Sequence, residues 1–552
     1  MTLHPTPVMP VPEETARIAR AAVPKGKVYL QMRDVFGTIY TDDQFADLCA
    51  SRGRPVVPPW RLALVTVMQF AEGLSDRQAA EAVRGRIDWK YALGLDLTDP
   101  GFDYTVLSEF RTRLVQGAAE QRLLDALLEA CTARGLLKSR GRQRTDSTHV
   151  LGALRVLSRL ERVAEALRAT LNALATVAPD WLQEQVPPEW YDRYSRRIED
   201  YRLPRGLAAQ QASGVQVGSD GGLLLALLAH PQTPEELRSL PAVQLLQQFW
   251  EQEYAVDGGG GYALRDPKAA PAATEHLEAP YEPEARFATK RGMHWTGYKV
   301  HVTEVCDADA PHLLTQVSTT IAPATDVRQL PLIQDALAQR ALLPAQPLVD
   351  AGYVRAGNVV QSREHHQIAL VGPVDTDHQW QARVEGGFVT ERFQIDGDRQ
   401  QATGPPGQQS IRWCETHTAR KRTMIHIDFD PADCLPCLDR ARCTRSKTGS
   451  RARCSTVQSR AEYEALLAGR ARQQTPEFAQ LYARRAGSEG TVSQGVRAFG
   501  LRRARSRGLR KTHLQHVATA AAVDLARLSQ WFNEIPTATT RRSRFARLAP
   551  AS

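Results

Sequence analysis

Cysteine is scarce in this chain, eight in 552 residues and unevenly placed, so a disulfide scaffold is excluded and a reducing cytoplasm fits. Long apolar runs are missing too. The longest, residues 223–228 within Gly-Gly-Leu-Leu-Leu-Ala-Leu-Leu-Ala, falls far short of the ~20 residues that cross a bilayer. The first 26 residues hold proline and alanine without the continuous apolar core of a signal peptide, so export is not expected. No Gly-x-x-x-x-Gly-Lys-Ser/Thr loop is present, and nothing argues for a nucleoside triphosphate. The expectation is a soluble, cytoplasmic protein with no membrane partner.

What the chain does have is positive charge and length. Lys and Arg number 70 against 61 Asp and Glu, for a net charge of +9 and a pI near 9.2. That balance favours a polyanionic partner, because neutralising phosphates releases counterions. At roughly 150 residues per domain the length allows three or four structural units.

Residues 40–135 carry helical patterning. Thr41 or Asp42 is placed to cap a helix, Pro58 and Pro59 introduce the apolar series Leu62, Leu64, Val65, Val67, Met68 and Phe70, and Gly73 ends it. Ser75 and Gln78 have capping-box spacing for a second helix. The pair resembles a helix-turn-helix whose second helix would show Arg77 and Arg84 to DNA. Leu160, Val163, Leu167, Leu171 and Leu174 then recur at helical steps, which predicts an amphipathic helix within a helical insertion that ends in a glycine-rich crossing near Asp257.

Past residue 286 the chain turns to β-branched runs at 297–304 and 313–321, a helix over 327–341, and the short strand Gln346-Pro-Leu-Val-Asp350. This is an α/β order, and it sets Asp350 at a strand's carboxyl edge, where open sheets build sites. Asp146, in Thr-Asp-Ser-Thr-His, is the second acid in a specific setting. The preceding Gln143-Arg-Thr is poorly apolar for a buried strand, which suggests an edge-like one. Asp326 is the fallback acid and His149 reads as a cap.

A further insertion carries Cys434-Leu-Pro-Cys437 with Cys443 downstream and Cys414 upstream. These four are candidate ligands of a structural Zn²⁺, since CxxC thiolates can clasp a tetrahedral ion. Beyond it lies Glu489, followed by Arg497, Arg502, Arg503, Arg505, Arg507, Arg510 and Lys511 with no acid between 497 and 511. Seven uninterrupted cations point to phosphate contact.

The ordered set Thr145-Asp-Ser-Thr-His-Val150, Trp295-x-Gly-Tyr-Lys299 with Thr303-Glu304, Leu348-Val-Asp-Ala-Gly-Tyr353 and Tyr482-x-x-Arg485-x-x-x-Glu489 resembles bacterial insertion-sequence transposases of the DDE class. Family 1182 of the 4/5-like superfamily is the particular resemblance. It implies an α/β fold with a ribonuclease H-like catalytic core, a helical N-terminal DNA-binding domain, a helical insertion and a cysteine-containing insertion. The implied boundaries are 1–34 extension, 35–135 DNA-binding domain, 136–155 first core strand, 156–285 helical insertion and linker, 286–375 core, 376–470 cysteine insertion, 471–535 end of the core and 536–552 basic tail.

The resemblance also implies roles. Asp146, Asp350 and Glu489 would hold two Mg²⁺ ions, with Mn²⁺ able to substitute, and Tyr482 and Arg485 would hold DNA near the scissile phosphate. The protein would bind the element's inverted repeats as a homodimer on double-stranded DNA, hydrolyse the ends and join the 3′-hydroxyls to target DNA. Its setting would be the bacterial nucleoid. The alternative is a catalytically inactive DNA-binding regulator or defective copy; a nuclease without strand transfer would share the same core.

Overall fold

The structure, a computed structural model, describes residues 3, 8–23, 27–50, 53, 56–199, 203–256, 258, 260–418, 422–445, 452–536 and 548. The basic tail at 541–547 and part of the glycine tract at Asp257 lie outside them.

The helical unit begins earlier than its sequence pattern suggests. Residues expected to be an extension form the helices Glu13–Ala22 and Val28–Phe36, which pack against the helix Ile87–Leu93. Thr15 Oγ1 donates to the Leu95 carbonyl (2.9 Å), and Tyr29 meets Trp89 edge-on at 6.2 Å. The helix Pro59–Glu72 starts with proline in its first turn, where no backbone donor is lost, and stops at Gly73 in the left-handed region (φ 68°). Ser75 then accepts from the Gln78 N–H while the Gln78 side chain accepts from the Ser75 N–H at 2.9 Å, which closes a capping box on Asp76–Gly85.

Pro59–Glu72 is buried from Leu62 to Gln69 because it lies against the last α-helix among the described residues, Leu509–Phe532. That terminal helix also touches Val28–Phe36 and the helix Arg122–Thr132 on one side and the central sheet on the other. One continuous apolar core, with Met68, Leu124, Val300, Val317 and Val517 among its members, therefore runs from the helical unit into the sheet. Each such buried side chain contributes about 1.5–3 kcal/mol, so the two parts are held as one body.

The sheet is built from β1 (Arg140–Leu151), β2 (Arg286–Lys290), β3 (Met293–Val305), β4 (Leu314–Ile321) and β5 (Pro344–Val349). β1 pairs antiparallel with β3, Asp146 opposite Val302, and parallel with β5, Thr145 opposite Val349. β3 also pairs antiparallel with β2 and β4, and a parallel bridge from Leu348 to Val371 extends the sheet beyond β5. β1 is thus central, against the expectation of an edge-like strand. Its polar residues are buried but satisfied: Gln143 Nε2 donates to the Leu342 carbonyl (2.8 Å), Thr145 shares a hydroxyl hydrogen bond with Thr303 (2.8 Å), and Arg144 faces Glu304 (2.6 Å). Gly297, at φ 150°, lets β3 close on β1, since a Cβ there would sit 2.3 Å from the Val150 carbonyl oxygen.

The two segments expected to be insertions carry their own cores. In the helical one, Arg159–Val177, Leu207–Ala229 and Pro241–Glu253 pack together. Leu207–Ala229 is the one helix among the described residues long and apolar enough to cross a membrane by length and composition. Its glycines at 218, 221 and 222 form a groove filled by the rings of Tyr254, Trp250 and Tyr262, and Trp250 Nε1 donates to the Gly218 carbonyl (3.0 Å). A core helix passes the same test, and those rings give this one a packed interior. The cysteine-bearing insertion is a three-stranded antiparallel sheet, Ser410–His417, Thr423–Phe429 and Cys454–Gln458, over Phe388, Phe393, Ile427 and Phe429.

Candidate active site

β1 delivers Asp146 from the middle of the sheet, and β5 ends at Val349 so that Asp350 opens the turn Ala351–Tyr353. The Asp350 carboxylate accepts from the Ala351 N–H (2.7 Å), which fixes its direction at the strand's carboxyl end. The third acid, Glu489, stands in the first turn of the helix Gly487–Phe499, where the helix dipole favours a negative charge. All three line one cleft of about 430 Å³, together with Ser147, Thr148, Lys290, Arg291, Arg485, Arg497 and Arg502.

Arg485 joins the aspartates. Its Nη2 donates to Asp146 Oδ2 at 2.9 Å and lies 3.7 Å from Asp350 Oδ2. Burial pulls the Arg485 pKa down, but Asp146 and Asp350, followed by Tyr482 and Glu489, more than offset it and hold the guanidinium above its usual range. Asp146 is further fixed by the Ser147 N–H (2.8 Å) on one oxygen and by the Ser488 hydroxyl (3.0 Å) on the other. Tyr482 stacks on Phe478 with centroids 5.5 Å apart, and burial raises its phenol pKa.

A buried ionic hub aims the helix that carries Glu489. Glu304, 1 % exposed, receives Arg144 Nε and Arg527 Nη1 at 2.6 Å each, and the Thr491 hydroxyl at 2.6 Å. Arg144 Nη1 also donates to the Arg484 carbonyl (2.7 Å), next to Arg485. Gly487 is glycine for a steric reason, because a Cβ there would lie 2.0 Å from the Arg144 guanidinium.

The fallback acid Asp326 braces the floor of the site without lining the cleft. It pairs with Lys299 Nζ (3.0 Å) and accepts from the Ser147 hydroxyl (3.3 Å). Beside it, burial drives the His301 pKa down to about 4, and the neutral ring meets the Tyr353 hydroxyl at 2.7 Å. His149 packs 5.6 Å from the Trp295 ring, its pKa lowered by burial and then by Arg502 and Lys290.

The arginine run divides. Arg497 and Arg502 face the cleft, Arg502 Nε donating to the Thr148 hydroxyl at 2.8 Å. Arg505 reaches into the helical unit, donating to the Gly73 (3.2 Å) and Leu74 carbonyls and covering the Phe70 ring. Arg510 pairs with buried Glu120 at 3.1 Å, and Arg507 lies over Tyr281. Arg503 and Lys511 are exposed and carry no ion pair among the described residues. In the helix pair, Arg77 stacks over Tyr104 at 4.8 Å and Arg84 donates to the Pro100 carbonyl at 3.2 Å, both exposed.

Sequence reasoning missed Lys290, Arg291 and Ser488. Lys290 and Arg291 come from the β2–β3 turn, and the faint signal for them is the Lys-Arg-Gly step between two strands.

The donor chemistry of the cleft fits a divalent cation, since three carboxylates offer hard oxygens. Yet no group of three or more His, Cys, Asp or Glu among the described residues converges on one point, and Arg485 supplies the positive charge between the aspartates. Cys434, Cys437 and Cys443 line one small pocket with Phe393 and Arg453; burial raises the Cys443 thiol pKa, which Cys434 and Cys437 also push up. Cys414 does not line it. Its thiol points at the Glu415 carbonyl (3.8 Å) from the strand Ser410–His417.

Two family models match the chain. Residues 403–529 match the transposase DDE domain, and residues 17–113 match a transposase domain (DUF772). The first match contains Glu489 and the cysteines from Cys414 onward; Asp146 and Asp350 lie outside both and reach the site through the fold alone. No curated protein matches the chain. The two matches support an insertion-sequence DDE transposase, an enzyme of a kind that acts on DNA with a divalent metal.

Proposed function

We propose that the chain is an insertion-sequence transposase of the family 1182 kind, with a ribonuclease H-like core, that cuts its element's ends and joins them to target DNA. The observation that carries this reading is that Asp146, Asp350 and Glu489, from three distant segments, meet in one cleft walled by five cations. The strand order, with an acid on the central strand and another at the carboxyl end of its parallel neighbour, supports it.

Asp146, Asp350 and Glu489 are the residues that would hold two Mg²⁺ ions, with Mn²⁺ able to substitute. When bound, the ions supply an activated oxygen nucleophile and a counter-charge for the leaving oxygen. The protein's own groups do the rest. Ser147 and Ser488 fix the Asp146 carboxylate, and the Glu304 hub holds the Glu489 helix in register. Arg485 can exchange a carboxylate for the scissile phosphate, keeping its charge paired throughout, with Tyr482 beside it. Lys290, Arg291, Arg497 and Arg502 grip the flanking backbone. Arg77 and Arg84 of the helix pair would read the inverted repeats, Arg503 and Lys511 would add phosphate contacts, and two copies would pair two ends at the bacterial nucleoid. Cys434, Cys437 and Cys443 are the residues that would take a structural Zn²⁺, with a fourth ligand other than Cys414; full-length protein purified without chelator and lacking stoichiometric zinc would remove that part.

The test is incubation of purified protein with DNA bearing the terminal repeats and Mg²⁺, followed by separation of nicked and joined strands. Nicked and joined products are expected from the wild type, and Asp350→Asn should abolish both while gel-shift affinity stays within about twofold, since only chemistry is removed. Binding without nicking would make the protein a regulator, and nicking without joining a nuclease.

A further inference from the structure

The β2–β3 hairpin does more than deliver two cations. Its turn places Arg291 at φ 50° and Gly292 at φ 78°, both left-handed, the signature of a tight two-residue connection that follows the twist of its strands. A non-glycine residue in that conformation is mildly strained, a feature that clusters at functional loops. Lys290 and Arg291 line the catalytic cleft and carry no ion pair among the described residues. Three residues back, about 10 Å along the strand, Phe287 is 41 % exposed and lies parallel to the His294 ring at 5.9 Å and 9°. Met293, paired with Lys290 across the turn, is also 41 % exposed.

The tip therefore presents two unpaired cations and, within one or two nucleotide steps, an open aromatic face. Cations next to exposed rings is how proteins hold a single strand, with phosphates on the charges and bases on the rings. Inside an intact duplex both faces of every base are already stacked, so rings of this kind have no partner there. We propose that this hairpin is a strand-end finger: Lys290 and Arg291 hold the phosphates beside the cleft while an unpaired nucleobase stacks on the Phe287–His294 face. The inference rests on the reading of the cleft as a DNA-processing centre and adds the state of the DNA it engages, a strand end with its terminal bases unpaired.

Binding separates the two claims. Full-length protein is titrated, without divalent metal, against a blunt DNA duplex and against the same duplex carrying a short single-stranded tail of thymidines with one 2-aminopurine at the junction. The wild type is expected to bind the tailed duplex roughly five- to tenfold more tightly and to alter 2-aminopurine emission as the base stacks on protein. In Phe287→Ala combined with His294→Ala the tailed-to-blunt ratio should fall to about one, and Phe287→Tyr, which keeps the ring, should retain it. A double variant that keeps the ratio, or a wild type that shows none, overturns the finger. Loss of Mg²⁺-dependent nicking with the ratio intact would count against the proposed chemistry and leave the finger standing. Circular dichroism of each variant shows whether the hairpin change has spread to the fold.

Discussion

Arg144 and Arg502 carry the same group and serve opposite ends. Arg144, 8 % exposed, is locked between Glu304 and the Arg484 carbonyl inside the sheet, whereas Arg502 lies on the cleft with one hydrogen bond to the Thr148 hydroxyl. The dense run after residue 497 contains both kinds, since Arg505 and Arg510 grip the helical unit while Arg497 and Arg502 stay with the cleft. Charge density along a chain thus measures how much cation there is. Whether a guanidinium serves the fold or a ligand depends on the carboxylates and carbonyls that folding brings to it.

The widest separation between the two kinds comes from removing the carboxylate the inner ones share. Glu304→Ala strands Arg144 and Arg527 as unpaired buried charges, and unfolding in denaturant should show a loss of about 3–5 kcal/mol. An unchanged midpoint would mean that the hub adds nothing to stability. On the cleft side, Arg497→Ala with Arg502→Ala should leave stability within about 0.5 kcal/mol while DNA affinity drops and the slope of log affinity against log salt becomes shallower by roughly 0.9 for each phosphate no longer neutralised. Equal salt slopes in variant and parent would move those two arginines into the structural group.

Arg505→Ala tests the intermediate kind. With its hydrogen bonds to the turn after Pro59–Glu72 and its cover over Phe70 removed, about 1 kcal/mol of stability should go, with the salt slope unchanged. The smallest effect concerns His149. Burial, then Arg502 and Lys290, hold its folded pKa below the unfolded value, so its share of stability is present above about pH 6.5 and is lost as the pH falls through the folded pKa below it. NMR titration of Arg502→Ala should move the His149 pKa upward by roughly a few tenths of a unit; an unmoved titration would put Arg502 farther from that ring than the geometry has it.

The two aspartates are legible because each sits in a short, distinctive context at a strand, and for Asp350 the apolar run before it can be read directly. Glu489 is harder, since Gly487 and Gly490 flank it and weaken a helix; the need for Gly487 appears only once Arg144 is packed against it. β1 reads as edge-like for a related reason. Gln143, Arg144 and Thr145 look like surface residues, and only the partners at Leu342, Glu304 and Thr303 make their burial tolerable. Lys290 and Arg291 are invisible because their place in the cleft depends on a hairpin that joins it from beyond the helices at 159–253. The cysteine spacing points to a cluster, and Cys434, Cys437 and Cys443 do share a pocket, yet spacing cannot tell that Cys414 sits on the strand Ser410–His417 outside that pocket's lining.

The terminal helix Leu509–Phe532 fills the space between the amino-terminal helices and the sheet. An amino-terminal fragment released on its own would bare the side of Pro59–Glu72 that this helix covers, and would aggregate through it. By the same token, exchanging the front of the gene with that of a divergent relative would pair mismatched halves of a single interior. Lineages of this protein should therefore vary the exposed helix Asp76–Gly85 by point substitution, and seldom by shuffling whole segments.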